Sequence, residues 1–159
     1  MTDFGQLLGV FSRHQVRFII IGGFAATAHG SAFLTVDLDV VYDRTAENVA
    51  RLVEALAPLS PYLRGAPPGL PFRLDADTVA SGLNFTLTTT AGDLDLLGEA
   101  AGGGTYDGLS SHTETRQVLG VDCRFVDLDT LIRLKRAAGR PKDLERIAEL
   151  ETLRSQRDG

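Results

Sequence analysis

The chain has 159 residues, 43% apolar and 23% charged, the profile of a domain of common size that buries about 70% of its unfolded surface and needs no disulfide or structural metal. Sixteen Lys and Arg against 21 Asp and Glu give a formal net charge of -5, which excludes gripping long nucleic acid by phosphate neutralisation alone; a phosphate-bearing partner would need bridging cations or a local basic patch. Cys123 is the lone cysteine, Asp3 stands where a secretion signal would be positive, and the longest apolar stretch, Phe18 to Ala28, is about half a bilayer span, so a cytoplasmic protein without a membrane segment is expected.

Phe4, Leu7, Leu8 and Phe11 fall on one helical face and predict a short opening helix ending near His14. Val16 to Ile21 is a β-branched and aromatic run that stops at Gly22 and Gly23, before the Ala-rich stretch Phe24 to His29. This predicts a strand, a tight glycine turn and a helix. From Val36 to Tyr42, Val36, Leu38, Val40 and Tyr42 alternate with Asp37, Asp39 and Val41, a strand with two acids on its second face. Thr45 is a suitable N-cap for a helix to Ala57 that carries Val49, Leu52, Val53 and Leu56. Pro58, Pro61, Pro67, Pro68 and Pro71 turn the segment before Phe72 into a surface loop. A short helix over Asp75 to Ser81 follows, then strands Leu83 to Thr90 and Asp93 to Leu97, joined as a hairpin through Ala91 and Gly92. Gly102, Gly103 and Gly104 mark a flexible connection, a weakly patterned stretch comes next, and Val121 to Val126 reads as a strand with Cys123 inside. Asp127 or Asp129 caps a helix through Ala138, Gly139 breaks it, and Pro141 suits the first turn of a last helix. With no internal repeat, residues 1–159 are expected to form one domain.

The pattern Asp-x-Asp occurs four times: Asp37 with Asp39, Asp75 with Asp77, Asp93 with Asp95, and Asp127 with Asp129. The second and fourth pairs precede helices, where acids satisfy free N–H groups and complement the helix dipole. The other two lie on strands, where residues two apart stand on one side about 7 Å from each other. Like charges facing one another across adjacent strands need water or a divalent ion. Two Mg²⁺ held by Asp37, Asp39 and one of Asp93 or Asp95 would suit phosphoryl or nucleotidyl transfer. The competing expectation is four solvated acids that discourage edge pairing. Gly22 and Gly23 at a strand-to-helix turn let the backbone approach a phosphate chain closely. Neither a Gly-x-Gly-x-x-Gly dinucleotide pattern nor a Gly-Lys-Ser/Thr P-loop occurs.

Ile19-Ile-Ile-Gly-Gly-Phe-Ala-Ala-Thr-Ala-His-Gly, followed by Leu34-Thr-Val-Asp-Leu-Asp-Val41, resembles the signature of the polymerase-β-like nucleotidyltransferase superfamily. It looks closest to the minimal nucleotidyltransferases related to the AbiE-type toxin subunits of bacterial toxin–antitoxin systems. The resemblance implies a mixed α/β fold, a short mixed sheet with helices mainly on one face. It also implies that Gly22 and Gly23 contact nucleotide phosphates and that Asp37 and Asp39 bind metal. A third carboxylate on a following strand is assigned to Asp95 in Gly92-Asp-Leu-Asp-Leu-Leu97, with Asp93 as the alternative. The run Leu131 to Asp143 is similar to the segment that ends the domain in the toxin relatives, implying nucleotide or structural roles for Lys135, Arg140 and Asp143. Read from the residues alone, Lys135 is equally an exposed helix charge, and Arg140 with Asp143, three apart, an ion pair fixing the last two helices. By this resemblance two Mg²⁺ serve transfer of NMP from an NTP to an RNA hydroxyl, transfer RNA included, or to a protein hydroxyl, in a toxin or antitoxin partnership. The alternative is an NTP- or partner-binding module without turnover. Many relatives carry an arginine where this chain has Phe33. His29 is expected to hydrogen-bond at its helix end, and His14 and His112 lack metal-ligand spacing.

Overall fold

The computed structural model describes residues 2–158. Its elements in chain order are α1 (Phe4–Arg13), β1 (Phe18–Ile21), α2 (Gly22–Ala28), β2 (Asp37–Tyr42), α3 (Ala46–Leu56), β3 (Tyr62–Leu63), α4 (Ala76–Ser81), β4 (Asn84–Thr89) and β5 (Gly92–Leu97). There follow β6 (Glu99–Ala100), β7 (Gly104–Thr105), α5 (Tyr106–Leu109), β8 (Thr113–Val118), β9 (Val121–Val126), α6 (Leu128–Ala138) and α7 (Pro141–Asp158). Seven strands form a mixed sheet in the order β3-β4-β5-β2-β1-β9-β8, and β6 with β7 makes a separate ribbon. Pairing is parallel for β2 with β5 and for β1 with β9, and antiparallel elsewhere in the sheet.

The helix starts follow the capping chemistry of the sequence. Side chains of Asp3, Thr45, Asp75 and Asp127 each accept a backbone N–H from the first turn of α1, α3, α4 and α6. Gly139 ends α6 in the left-handed conformation, φ 65°. The buried rows of the sheet, Phe18 and Ile20 on β1, Leu38 and Val40 on β2, Phe85 and Leu87 on β4 and Leu94 and Leu96 on β5, build the core. Phe11 of α1 meets Phe18 with ring centroids 5.0 Å apart, and α3 packs beside α1. Leu131 and Leu134 of α6 stand over the other side, sharing a cleft with Ile21 and Leu97.

Three expectations are corrected locally. Strand β1 begins at Phe18, not Val16, because Gln15 takes φ 54° and the Val16 N–H closes the end of α1 on the Phe11 carbonyl. Gly22 and Gly23 are not a separate turn: they are the first residues of α2, entered directly from β1 with Gly22 at φ 69°. The weakly patterned stretch holds α5 and β8, and β8 lacks alternation because it is an edge strand with both faces largely wet. Among the described residues no helix is long and apolar enough to cross a membrane.

Candidate active site

Register decides which acids meet. Parallel pairing of β2 with β5 sets Asp37 opposite Asp93 and Asp39 opposite Asp95, while the intervening Leu38 and Leu94 point into the core. Four carboxylates therefore share one sheet face in two adjacent rows. Asp37, Asp39 and Asp95 bring one oxygen each to within 4.8 Å of one another. The Asp93 carboxylate lies outside that triad and faces Arg64 at 3.5 Å.

The triad is electrostatically unfinished. Oδ1 of Asp39 and Oδ1 of Asp95 are buried without a hydrogen bond. Burial first, then the charge and hydrogen bond of Asp95 and the charge of Asp37, push the Asp39 carboxyl up to about 7, with Lys135 opposing. Three converging carboxylates with orphaned acceptors fit a hard divalent cation such as Mg²⁺, which takes oxygen ligands. Gly22 leaves the room: a Cβ there would run into the Asp39 carboxylate, and a Cβ on Gly23 would lie 2.7 Å from Thr35 Oγ1. Thr35 in turn donates its hydroxyl to the Asp37 carbonyl at 3.1 Å, steadying the start of β2.

The acids border a cleft with two arms that share Gly22, Asp39, Lys135, Arg140 and Asp143. An apolar arm of about 180 Å³ is walled by Leu97, Ala100, Leu131, Leu134 and Ala138. A polar arm of about 120 Å³ is walled by Gly23, Thr35, Asp37, Lys142 and Arg146. Lys135, expected either at the nucleotide or as an exposed helix charge, is only 6% exposed and stands 4.0 Å from Asp143. Burial lowers its pKa and the Asp143 charge works against that. Asp143 accepts from the Arg140 side chain at 2.6 Å and from the Arg140 backbone N–H at 3.2 Å, so this ion pair also caps α7. Burial would raise Asp143, but the hydrogen bond and charge of Arg140, with Lys135, hold it below the usual carboxylate range.

All eight residues singled out in the sequence, Gly22, Gly23, Asp37, Asp39, Asp95, Lys135, Arg140 and Asp143, border this one cleft. Two guanidinium groups escaped notice. Arg146 of α7 reaches the polar arm stacked 5.0 Å over the Phe33 ring. Arg64, just past β3, lies 2.9 Å from Asp95, 3.5 Å from Asp93 and 3.6 Å from Asp37. No sequence signal marks Arg64, since β3 is two residues long inside the proline-rich segment. His29 is buried at the end of α2, its Nε2 2.8 Å from the Val126 carbonyl, and stands apart from the cleft residues.

No family model and no curated protein matches this sequence. In fold, the chain is similar to the crystal structure of a Thermotoga maritima protein provisionally described as a nucleotidyltransferase. That likeness has a TM-score of 0.53 and 12% identity, and it covers 96% of this chain and 89% of that one. The architecture is thus a mixed α/β fold shared with that protein, bearing a carboxylate triad compatible with metal binding.

Proposed function

We propose that the chain is a Mg²⁺-dependent nucleotidyltransferase that moves NMP from an NTP to a hydroxyl of an RNA or protein. The observation that carries this reading is the convergence of Asp37, Asp39 and Asp95 within 4.8 Å, beside a glycine whose Cβ would fill the space. Asp37, Asp39 and Asp95 would hold two Mg²⁺, which when bound supply charge stabilisation at the α-phosphorus and acidify the acceptor hydroxyl. The backbone at Gly22 and Gly23 admits the β- and γ-phosphates to the polar arm, where Lys135, Arg140 and Arg146 supply positive charge. Asp143 fixes Arg140 and Lys135 in place. The apolar arm accepts the nucleoside. The acceptor oxygen bonds to the α-phosphorus, the bond to the bridging oxygen breaks, pyrophosphate leaves, and Asp95 receives the hydroxyl proton.

The sequence resemblance further supports kinship with the minimal nucleotidyltransferases of AbiE-type toxin systems, and hence a cytoplasmic protein acting in a toxin–antitoxin pair. Phe33 replaces an arginine of many relatives, but the cleft does not lack a guanidinium, because Arg146 lies over that ring. Residues 1–159 act as one unit in this reading. Purified protein incubated with each α-labelled NTP, Mg²⁺ and separate RNA and protein fractions tests it. Label in one fraction with stoichiometric pyrophosphate is expected. Mg²⁺-dependent NTP binding with no transfer to either would make the chain a binding module instead, and release of inorganic phosphate would make it a phosphohydrolase.

A further inference from the structure

Arg64 is seated by its backbone, and that seat aims it at the acids. Its N–H donates to the Thr86 carbonyl at 3.0 Å, extending the β3–β4 ladder by one residue. Thr86 is itself opposite Asp95 on β5, so Arg64, Thr86, Asp95 and Asp39 form one row across the sheet face. The guanidinium is anchored by a 2.6 Å hydrogen bond from Nη2 to the Leu87 carbonyl. Its contacts to carboxylates are looser: Nη2 is 2.9 Å from Asp95 Oδ1 but off the hydrogen-bonding direction, and Nε is buried without a hydrogen bond, 3.5 Å from Asp93. A buried donor and two buried acceptors, Asp39 Oδ1 and Asp95 Oδ1, are therefore unsatisfied in this one row. Arg64 thus satisfies neither the acceptors nor its own Nε in this seat, and a divalent ion in its place would satisfy the acceptors.

We propose that Arg64 is a tethered counter-cation: it neutralises Asp37 and Asp95 while no divalent ion is bound, is displaced by the incoming ion, and is then received by Asp93. The proposal rests on the metal-binding reading above and deepens it. A guanidinium and a divalent cation cannot both stand against Asp37 and Asp95 without strong repulsion at these distances. Asp93 offers the alternative seat. It is already 3.5 Å from Arg64 Nε, it lies outside the triad, and at 37% its side chain is more exposed than those of Asp37 (31%) and Asp95 (24%). Arg64 can move because only the two-residue β3 precedes it, on the sheet edge, and no helix or strand follows until α4. The device gives the face a resident positive charge before loading and makes metal affinity depend on a residue that is not a ligand.

The test is Mn²⁺ titration of the full chain without nucleotide, read as free Mn²⁺ by electron paramagnetic resonance, with circular dichroism to verify folding. Arg64→Gln is expected to tighten Mn²⁺ binding about tenfold and Asp93→Asn to weaken it about threefold. Arg64→Lys, which keeps the charge but not the fork, falls between wild type and Arg64→Gln. The double variant is decisive: if Asp93 acts only through Arg64, it binds as tightly as Arg64→Gln, whereas independent, additive effects leave it only about threefold tighter than wild type. Unchanged or weaker binding by Arg64→Gln, or a double variant no more than about threefold tighter than wild type, overturns the proposal. Should one of those overturning results occur while Mn²⁺ still binds the wild type and Asp39→Asn abolishes binding, the metal site stands and the Arg64 role alone falls. Absence of Mn²⁺ binding in the wild type and every variant removes both.

Discussion

The chain carries the same Asp-x-Asp spacing at two helix starts and on two strands, and the two regions end in opposite electrostatic states. At the helix starts, Asp75 and Asp127 each accept a backbone N–H, from Thr78 and Thr130, at 2.8 Å. That backbone hydrogen bond is the leading cause of the lowered pKa of Asp75. On the strands, burial and neighbouring carboxylates push Asp39 up to about 7. The difference lies in the backbone. A helix start exposes unpaired N–H groups, while the strand ladders have consumed theirs, so the four strand acids face one another and the single guanidinium of Arg64. The helix acids hold the fold together, and the strand acids strain it in favour of an external cation.

The largest effect expected from this division is catalytic. Asp39→Asn should lower Mg²⁺-dependent nucleotidyl transfer by about a thousandfold or more, measured as pyrophosphate release, with circular dichroism unchanged. Asp75→Asn should leave transfer intact. Comparable losses from both would erase the distinction between the two regions. Next in size is Gly22→Ala. The added Cβ would both strain φ 69° and strike the Asp39 carboxylate, so about a hundredfold loss of transfer is expected, through weakened Mn²⁺ affinity. Wild-type Mn²⁺ affinity in that variant would show that Gly22 does not shape the triad.

Much of this architecture is legible in one sequence because local chemistry and long-range placement coincide. The alternation from Val36 to Tyr42 and the apolar Leu94 and Leu96 fix which sides of β2 and β5 turn inward, and Asp37, Asp39 and Asp95 must then project from the other. The capping acids are legible because a cap interacts with its own first turn. Arg64 is not legible: it reaches the acids only through the register of a two-residue strand against β4, and neither its neighbours nor any periodicity encodes that pairing. Strand β8 is hidden for a related reason, since Thr113 to Val118 has no buried face to impose alternation. Lys135 illustrates an intermediate case. Its place on α6 follows from the helix pattern, but its burial depends on α7 folding back to set Asp143 beside it.

The strain on the strand acids should also be visible in stability. Asp39 holds its proton up to about 7 in the folded chain, against 3.8 for an ordinary carboxyl. Between those values the folded state binds more protons than the unfolded one, so stability falls as pH rises through that window. Asp39→Asn does not titrate. Without divalent ions its melting temperature should therefore pull ahead of wild type across the window and level off above it. The gap expected at about pH 8 is about 4 kcal/mol, or about 10 °C. Saturating Mg²⁺ should shrink or reverse the gap, because the ion stabilises only the chain that binds it. A variant less stable than wild type at high pH and without metal would mean that the acid face is not frustrated.

The smallest effect belongs to a helix acid and should have the opposite character. Asp127→Ala removes the acceptor for the Thr130 N–H at the start of α6. The expected loss is about 1 kcal/mol, seen as a melting temperature about 2–4 °C lower. Asp127→Asn, an equally good cap, should recover most of it. Because the cap serves the helix and not a cation, the deficit should be the same with EDTA as with Mg²⁺ and should not change across the neutral range. Transfer activity should also hold, since Lys135, the charged residue that α6 brings to the cleft, lies two turns further along, about 12 Å from the capped end. A Mg²⁺-dependent deficit in Asp127→Ala would tie the helix acid to the cation site, and identical spacing would then imply identical use after all.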